Sequence, residues 1–165
     1  MWFRKKTIKS SEVIARMLRT ALDKTNLSAE RGTWNDANVP FDRYQREDSC
    51  LQAFAIFYAI IASKLPEETK RLLLGELENQ VVTLMQSGQL DAAFYHDVHE
   101  YYDAFTQPPP PHLNPLWNVG LVFAQHCGAG KDVAYVTTGA TFGKMLTETV
   151  KLLNWTSKSY RIAEG

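Results

Sequence analysis

The chain has 165 residues, and its 18 basic and 18 acidic side chains cancel to a formal net charge of zero. This balance removes the overall field that draws proteins to nucleic acid, so no nucleic-acid partner is expected. Hydrophobic residues make up 45% and charged residues 22% of the chain, which is ordinary for a globular protein and excludes extensive disorder. The length predicts one domain spanning 1–165.

Positive charge is concentrated at the N-terminal end, where seven basic residues and two acidic residues fall within residues 1–26. Residues 1–9 are expected to form a flexible basic segment. The alternative is a weak peripheral attachment to an anionic membrane surface, because Trp2 and Phe3 stand beside three consecutive basic residues.

Cellular location is suggested by the apolar runs and the cysteines. The densest apolar run, Leu51 to Ala62, is much shorter than the roughly 20 residues that span a bilayer, and the basic start is not followed by the apolar core of a signal peptide. Cys50 and Cys127 are too few for a disulfide framework and are expected to be free thiols. A cytoplasmic protein is predicted.

Apolar residues recur every three or four positions in the first part of the chain, which predicts helices. The first helix is predicted from about Ser11 to Lys24, followed by an irregular segment over 25–40. The second starts at Asp42 and carries a stripe of Tyr44, Leu51, Phe54, Tyr58 and Ile61. Its C-terminal half is apolar nearly all round, which is typical of a central helix or a subunit contact.

Three more helices are predicted before the last glycine-rich turn. The third follows Pro66 and ends near Gly88, and the fourth covers about Asp91 to Phe105. The four prolines at 108–111 form a stiff connector over 107–113, and the fifth helix runs from Pro115 to Cys127.

The last predicted helix runs from about Thr141 to Trp155. The β-branched residues between Val133 and Thr138 suggest a strand, but a lone strand has no partner here, so a loop or a helix extension is preferred. The sequence therefore predicts an all-α, single-domain bundle of about five to six helices.

One face of the fourth helix carries His96, His99 and Asp103. Imidazole and carboxylate groups one turn apart suit zinc, manganese or non-haem iron. This face points away from the predicted core, whereas metal sites in bundles project inward, and a solvated polar surface is the simpler interpretation. Another segment would have to complete the site, and the candidate ligands are His112, His126, Glu76 and Glu78.

Two other motifs are better explained by structure than by chemistry. Gly128 to Lys131 resembles a phosphate cradle, but Gln125 and Asp132 depart from the P-loop pattern, and a helix end followed by a turn explains the glycines. His126 and Cys127 are adjacent, so they do not face each other on a helix. No catalytic residue and no required cofactor are predicted.

The surplus of apolar helix surface favours a non-catalytic interaction or assembly module, with a protein partner or a second copy of the chain as the contact. The predicted contact residues are Phe54, Phe57, Tyr58 and Ile61. A metal-dependent enzyme or metal-binding protein using the His96 and His99 face is the alternative, and a peripheral membrane protein is a third hypothesis.

Overall fold

A computed structural model describes residues 5–23 and 34–165 of the chain. Helices dominate these residues, which confirms the predicted all-α bundle. The elements in chain order are β1 (Lys6–Lys9), α1 (Ser10–Leu22), α2 (Phe41–Ala62), α3 (Glu67–Gln86), α4 (Phe94–Thr106), α5 (Pro115–Cys127), α6 (Val133–Ala140), α7 (Phe142–Ser159) and β2 (Tyr160–Ala163). No helix among the described residues is both long enough and apolar enough to cross a bilayer.

The central element is α2, which packs against α1, α3, α4, α5 and α7. Its nearly continuous apolar surface explains this position, because a helix that is apolar all round loses free energy of solvation unless neighbours cover every side. Cys50, Phe54, Ala59 and Ile60 are fully buried. Residues from all seven described helices join one buried apolar cluster.

The outer helices form two groups around α2. On one side α1 packs against α3, and on the other α4 packs against α5 and α5 against α6. Helix α7 packs mainly on α2, and two seams remain where neighbouring outer helices pack only sparsely, one between α1 and α7 and the other between α3 and α4. One surface groove lies at each of these seams.

A short parallel sheet joins the two ends of the chain. Strand β1 pairs with β2 in a register that sets Lys6 opposite Tyr160 and Lys9 opposite Ala163. Residues 1–9 were expected to be a flexible segment, but residues 6–9 form β1, and residues 1–4 lie outside the described residues. Four-residue strands without an alternating pattern give too weak a signal to be recognised in a sequence.

The residues between α5 and α7, for which a loop or a helix extension was expected, form the short helix α6, and Thr141 alone separates it from α7. The side chain of Asp132 accepts a hydrogen bond from the Ala134 amide at 2.8 Å and so caps the helix. Gly120 in α5 allows α6 to approach closely, because a Cβ there would overlap the Val136 carbonyl. Burial of Tyr135 and Val136 against α5 outweighs the weak helix propensity of the β-branched residues.

The connections between helices are partly held by side chains. The indole of Trp34 donates a hydrogen bond to the Val39 carbonyl at 2.8 Å and packs against Phe41 and Tyr44 of α2, which holds the segment before α2 against that helix. Residues 24–33, which include part of the segment that was predicted to be irregular, lie outside the described residues. The proline-rich connector, 107–113, links α4 to α5 without a helix or a strand.

Candidate functional site

The predicted metal face of α4 lies on the protein surface, where His96, His99 and Asp103 are all exposed. The His96 Nε2 atom lies 3.4 Å from the Glu100 Oε1 atom, and Asp97 completes a group of three donor residues. In the described part of the chain, neither His99 nor Asp103 belongs to such a group. The structure thus does not assemble the donor set that the sequence suggested.

Four further donors had been suggested from the sequence, namely His112, His126, Glu76 and Glu78. His126 reaches α4, with its Nε2 atom 2.6 Å from Glu100 Oε2, and Glu78 of α3 lines a cleft together with His99. Glu76 accepts a hydrogen bond from Gln80 of its own helix. His112 lies at a turn of the proline-rich connector, where its backbone has a positive φ of 71°.

An ionic cluster joins α2, α4 and α5 below this face, and it consists of Arg46, Glu47, Asp97 and His126. The guanidinium of Arg46 contacts both Glu47 and Asp97 and binds both oxygens of Asp91 at 2.7 and 2.8 Å. Glu47 is only 3% exposed. Its Oε2 atom lies 3.0 Å from His126 Nδ1.

Protonation of the ionic cluster follows from these contacts. The hydrogen bond with Glu47 raises the pKa of His126 despite its burial. Burial opposes ionisation of Glu47, but hydrogen bonds from His126 and Arg46 outweigh it and hold the pKa of Glu47 below its usual value. Tyr101, fully buried, donates a hydrogen bond to Glu47 Oε2 at 3.2 Å. The cluster is therefore a charged, hydrogen-bonded network.

Donor atoms of Glu47, Asp97 and His126 lie within 4.8 Å of one another, a spacing that a metal ion accepts. However, the Arg46 guanidinium already contacts both carboxylates, and a protonated His126 supplies a second positive charge. A metal ion would have to displace these groups. The arrangement is better explained as an ion-pair network that fixes the relative positions of three helices.

Thiol chemistry is also disfavoured. Cys50 and Cys127 are both free and buried. Burial raises the pKa of the Cys127 thiol to about 12 and that of Cys50 well above its usual value, so neither is poised as a thiolate. Gly128 ends α5 in the left-handed conformation with φ of 84°, which supports the interpretation of this motif as a helix end.

The predicted contact residues of α2 differ in their exposure. Phe54 is fully buried and stacks on Phe142 with ring centroids 4.7 Å apart, so the prediction of a surface role is wrong for Phe54. Phe57 and Tyr58 are half-buried against α4. Ile61 is exposed. The neighbouring helices cover this stripe because α2 is central.

A mainly apolar groove lies instead at the seam between α1 and α7. Its volume is about 570 Å³, with α2 as its floor and the β1–β2 pair at one end. We call it the α1–α7 groove. Met17 of α1, Ile56 of α2 and Met145 of α7 contribute to its lining. On its α7 edge, Leu152 is 50% and Trp155 58% exposed.

The sequence contained one signal for the ionic cluster and one for the exposed edge of the α1–α7 groove. Glu47 falls three residues after Tyr44 and four before Leu51, so a carboxylate occupies the apolar stripe of α2 and requires a buried partner. Leu152 and Trp155 are large apolar residues outside the apolar stripe of the last helix, which consists of Phe142, Met145, Leu146, Val150 and Leu153. Two partners of Glu47, Tyr101 and His126, could not be identified from the sequence because they lie in other helices.

Comparisons with protein families, with curated proteins and with solved structures found no match to this chain.

Proposed function

We propose that this protein is a helical assembly module that self-associates through α7. The observation that carries the proposal is a strip of four exposed residues on this helix, Glu148, Leu152, Trp155 and Lys158, which we call the α7 strip. Successive members are three or four positions apart, so they lie on one face of the helix. Large apolar residues paired in this way on a surface favour a protein contact.

The order of chemical types along the α7 strip favours a second copy of the chain as the partner. An acidic residue lies at its N-terminal end, a basic residue at its C-terminal end and two apolar residues between them. In an antiparallel pair of α7 helices, Leu152 of each copy lies opposite Trp155 of the other, and Glu148 comes near Lys158. A parallel pair would bring like charges together.

Such a contact has the twofold symmetry of common homodimers, in which the same patch serves both subunits. Within the described residues, neither Glu148 nor Lys158 forms an ion pair in the isolated chain, so both remain free to pair across the interface. The second copy would also cover the open side of the α1–α7 groove, because Leu152 and Trp155 form its edge.

The proposed setting is a reducing compartment such as the cytoplasm. The support for it is that Cys50 and Cys127 are unpaired and buried, as is usual for proteins that are not exposed to oxidising conditions.

Sedimentation equilibrium from low to high micromolar concentration tests the proposal. The wild type is expected to dimerise, and Trp155→Glu to remain monomeric. Val133→Glu is the matched control, because Val133 is 65% exposed but lies at the start of α6, away from the α7 strip. A wild type that stays monomeric at high micromolar concentration, or a Trp155→Glu variant that dimerises as the wild type does, contradicts the proposal.

A charge reversal tests the antiparallel arrangement separately. Glu148→Lys and Lys158→Glu are each expected to weaken dimerisation because like charges then meet. The double variant restores opposite charges and is expected to recover the affinity of the wild type. If the two single effects simply add in the double variant, the antiparallel pairing is wrong.

A further inference from the structure

The second seam of the bundle forms a small cleft between α3 and α4, which we call the α3–α4 cleft. Its volume is about 140 Å³. Ala53 and Phe57 of α2 contribute its floor, and Leu74 of α3 and Val98 of α4 contribute to opposite walls. Since both outer helices pack on α2 rather than extensively on each other, the space follows from how the helices are arranged.

Gly75 keeps the α3 wall of this cleft open. It lies in the interior of α3, where glycine costs about 1 kcal/mol relative to alanine. A Cβ at this position would meet no atom of the described residues within 4 Å. Close packing within the described protein therefore does not explain the glycine. Because glycine has no side chain, this position leaves space beside the cleft for a ligand.

The rim of the cleft is aromatic and acidic. The Tyr95 and His99 rings lie edge to face, with centroids 4.7 Å apart, and the His99 ring lies 6.5 Å from that of Phe57. Glu78 lines the same cleft, and within the described residues its carboxylate forms no ion pair. Burial, followed by the charge of Glu78, raises the pKa of Tyr95, which agrees with the proximity of these two groups.

We infer that the α3–α4 cleft binds a small organic cation, namely an ammonium group attached to a small aromatic or branched alkyl group. The apolar part of such a ligand fills the cleft against Phe57 and Val98, where apolar burial supplies affinity. The ammonium lies at the rim, attracted by the Glu78 carboxylate and by the face of the Tyr95 ring. This inference does not rest on self-association, because the cleft lies on the α3 and α4 side of α2, whereas the α7 strip lies on α7.

The test uses phenethylamine as the probe and 2-phenylethanol as its neutral counterpart. Each is titrated into the full-length protein at about pH 8, above the usual titration range of histidine, and binding is followed by amide chemical shifts in two-dimensional NMR. Saturable shifts are expected for residues of the cleft, such as Gly75 and Val98, with tighter binding of the amine. No saturable shift at the cleft, or equal affinity for the alcohol, overturns the inference.

Two variants separate the roles of space and charge. Gly75→Leu places a side chain in the cleft and is expected to abolish binding while the helical circular-dichroism spectrum stays that of the wild type. Glu78→Gln is expected to weaken the binding of phenethylamine about threefold to fivefold, as for the loss of an exposed ion pair, and to leave the affinity for 2-phenylethanol unchanged. Glu68→Gln, on an exposed position in the first turn of α3, is the control and is expected to bind normally.

Each variant has a result that contradicts the inference. Unchanged binding in Gly75→Leu would mean that the probe does not enter the cleft. Unchanged amine affinity in Glu78→Gln, or equal weakening in Glu68→Gln, would mean that Glu78 does not recognise the cation.

Discussion

Replacing Glu47 by glutamine should reveal how much the ionic cluster stabilises the fold. The wild-type carboxylate accepts hydrogen bonds from Arg46, His126 and Tyr101. The glutamine side chain has almost the same shape as that of glutamate, so the substitution creates no cavity. It removes the negative charge and turns one acceptor oxygen into an NH2 donor, which then faces other donors.

The magnitude follows from burial. Glu47 is only 3% exposed, and removing one partner of a buried ion pair costs about 3–5 kcal/mol. Arg46 keeps its contacts with Asp91 and Asp97, and His126 keeps Glu100. Both cations therefore keep a carboxylate partner, so we expect the free energy of unfolding to fall by an amount at the lower end of this range, about 3 kcal/mol.

Urea denaturation followed by circular dichroism near pH 7 measures this difference. Glu100→Gln is the matched control, because Glu100 also pairs with His126 but its side chain is 42% exposed. Solvent screening should limit its effect to about 1 kcal/mol or less. If Glu47→Gln is destabilised no more than Glu100→Gln, the account of the cluster as a buried network that holds α2, α4 and α5 together is wrong.

Three other predictions concern His126 and two helical glycines. Because Glu47 raises the pKa of His126 above its ordinary value of 6.5, protonated His126 stabilises the fold. The stability advantage of the wild type over His126→Gln should therefore be complete below pH 6.5 and decline as the pH rises through the raised pKa. Urea denaturation of both proteins across this pH range measures the difference. A difference that does not change with pH would contradict the prediction. Gly120→Ala should lower the free energy of unfolding by about 1–3 kcal/mol, because its Cβ would overlap the Val136 carbonyl. Gly75→Ala, at an open helical position, should raise the free energy of unfolding by up to about 1 kcal/mol. A higher melting temperature for Gly120→Ala would show that α5 and α6 are not so close.

Most helices were recognisable from the sequence because their signals are local. Pro66 precedes α3, Pro115 begins α5, and Gly128 ends it, and each acts through its own backbone. The segment Val133–Ala140 was harder to assign, since its β-branched residues disfavour a helix locally. Contact with α5 through Gly120 and Gly139 decides its structure, and the sequence does not show that these two glycines meet.

The candidate sites could be predicted only in part. His96 and His99 attracted attention because they are close in sequence, but the more extensive network of titratable groups forms below them. It brings together Asp97 and Arg46, 51 positions apart, and His126 and Glu47, 79 positions apart. Local spacing carries no information about such pairs, because they depend on how each helix is rotated and where it crosses the others.

The sequence by itself determined that this chain forms helices and that the second of them is covered on most sides, by neighbouring helices or by another subunit, because apolar periodicity and an all-round apolar surface act within one segment. Only the tertiary structure decided which apolar residues remained exposed. Phe54 is covered by α7, whereas Leu152 and Trp155 remain at the edge of a groove. Burial depends on which neighbour lies against each face, and that is a property of the assembled bundle rather than of any one helix.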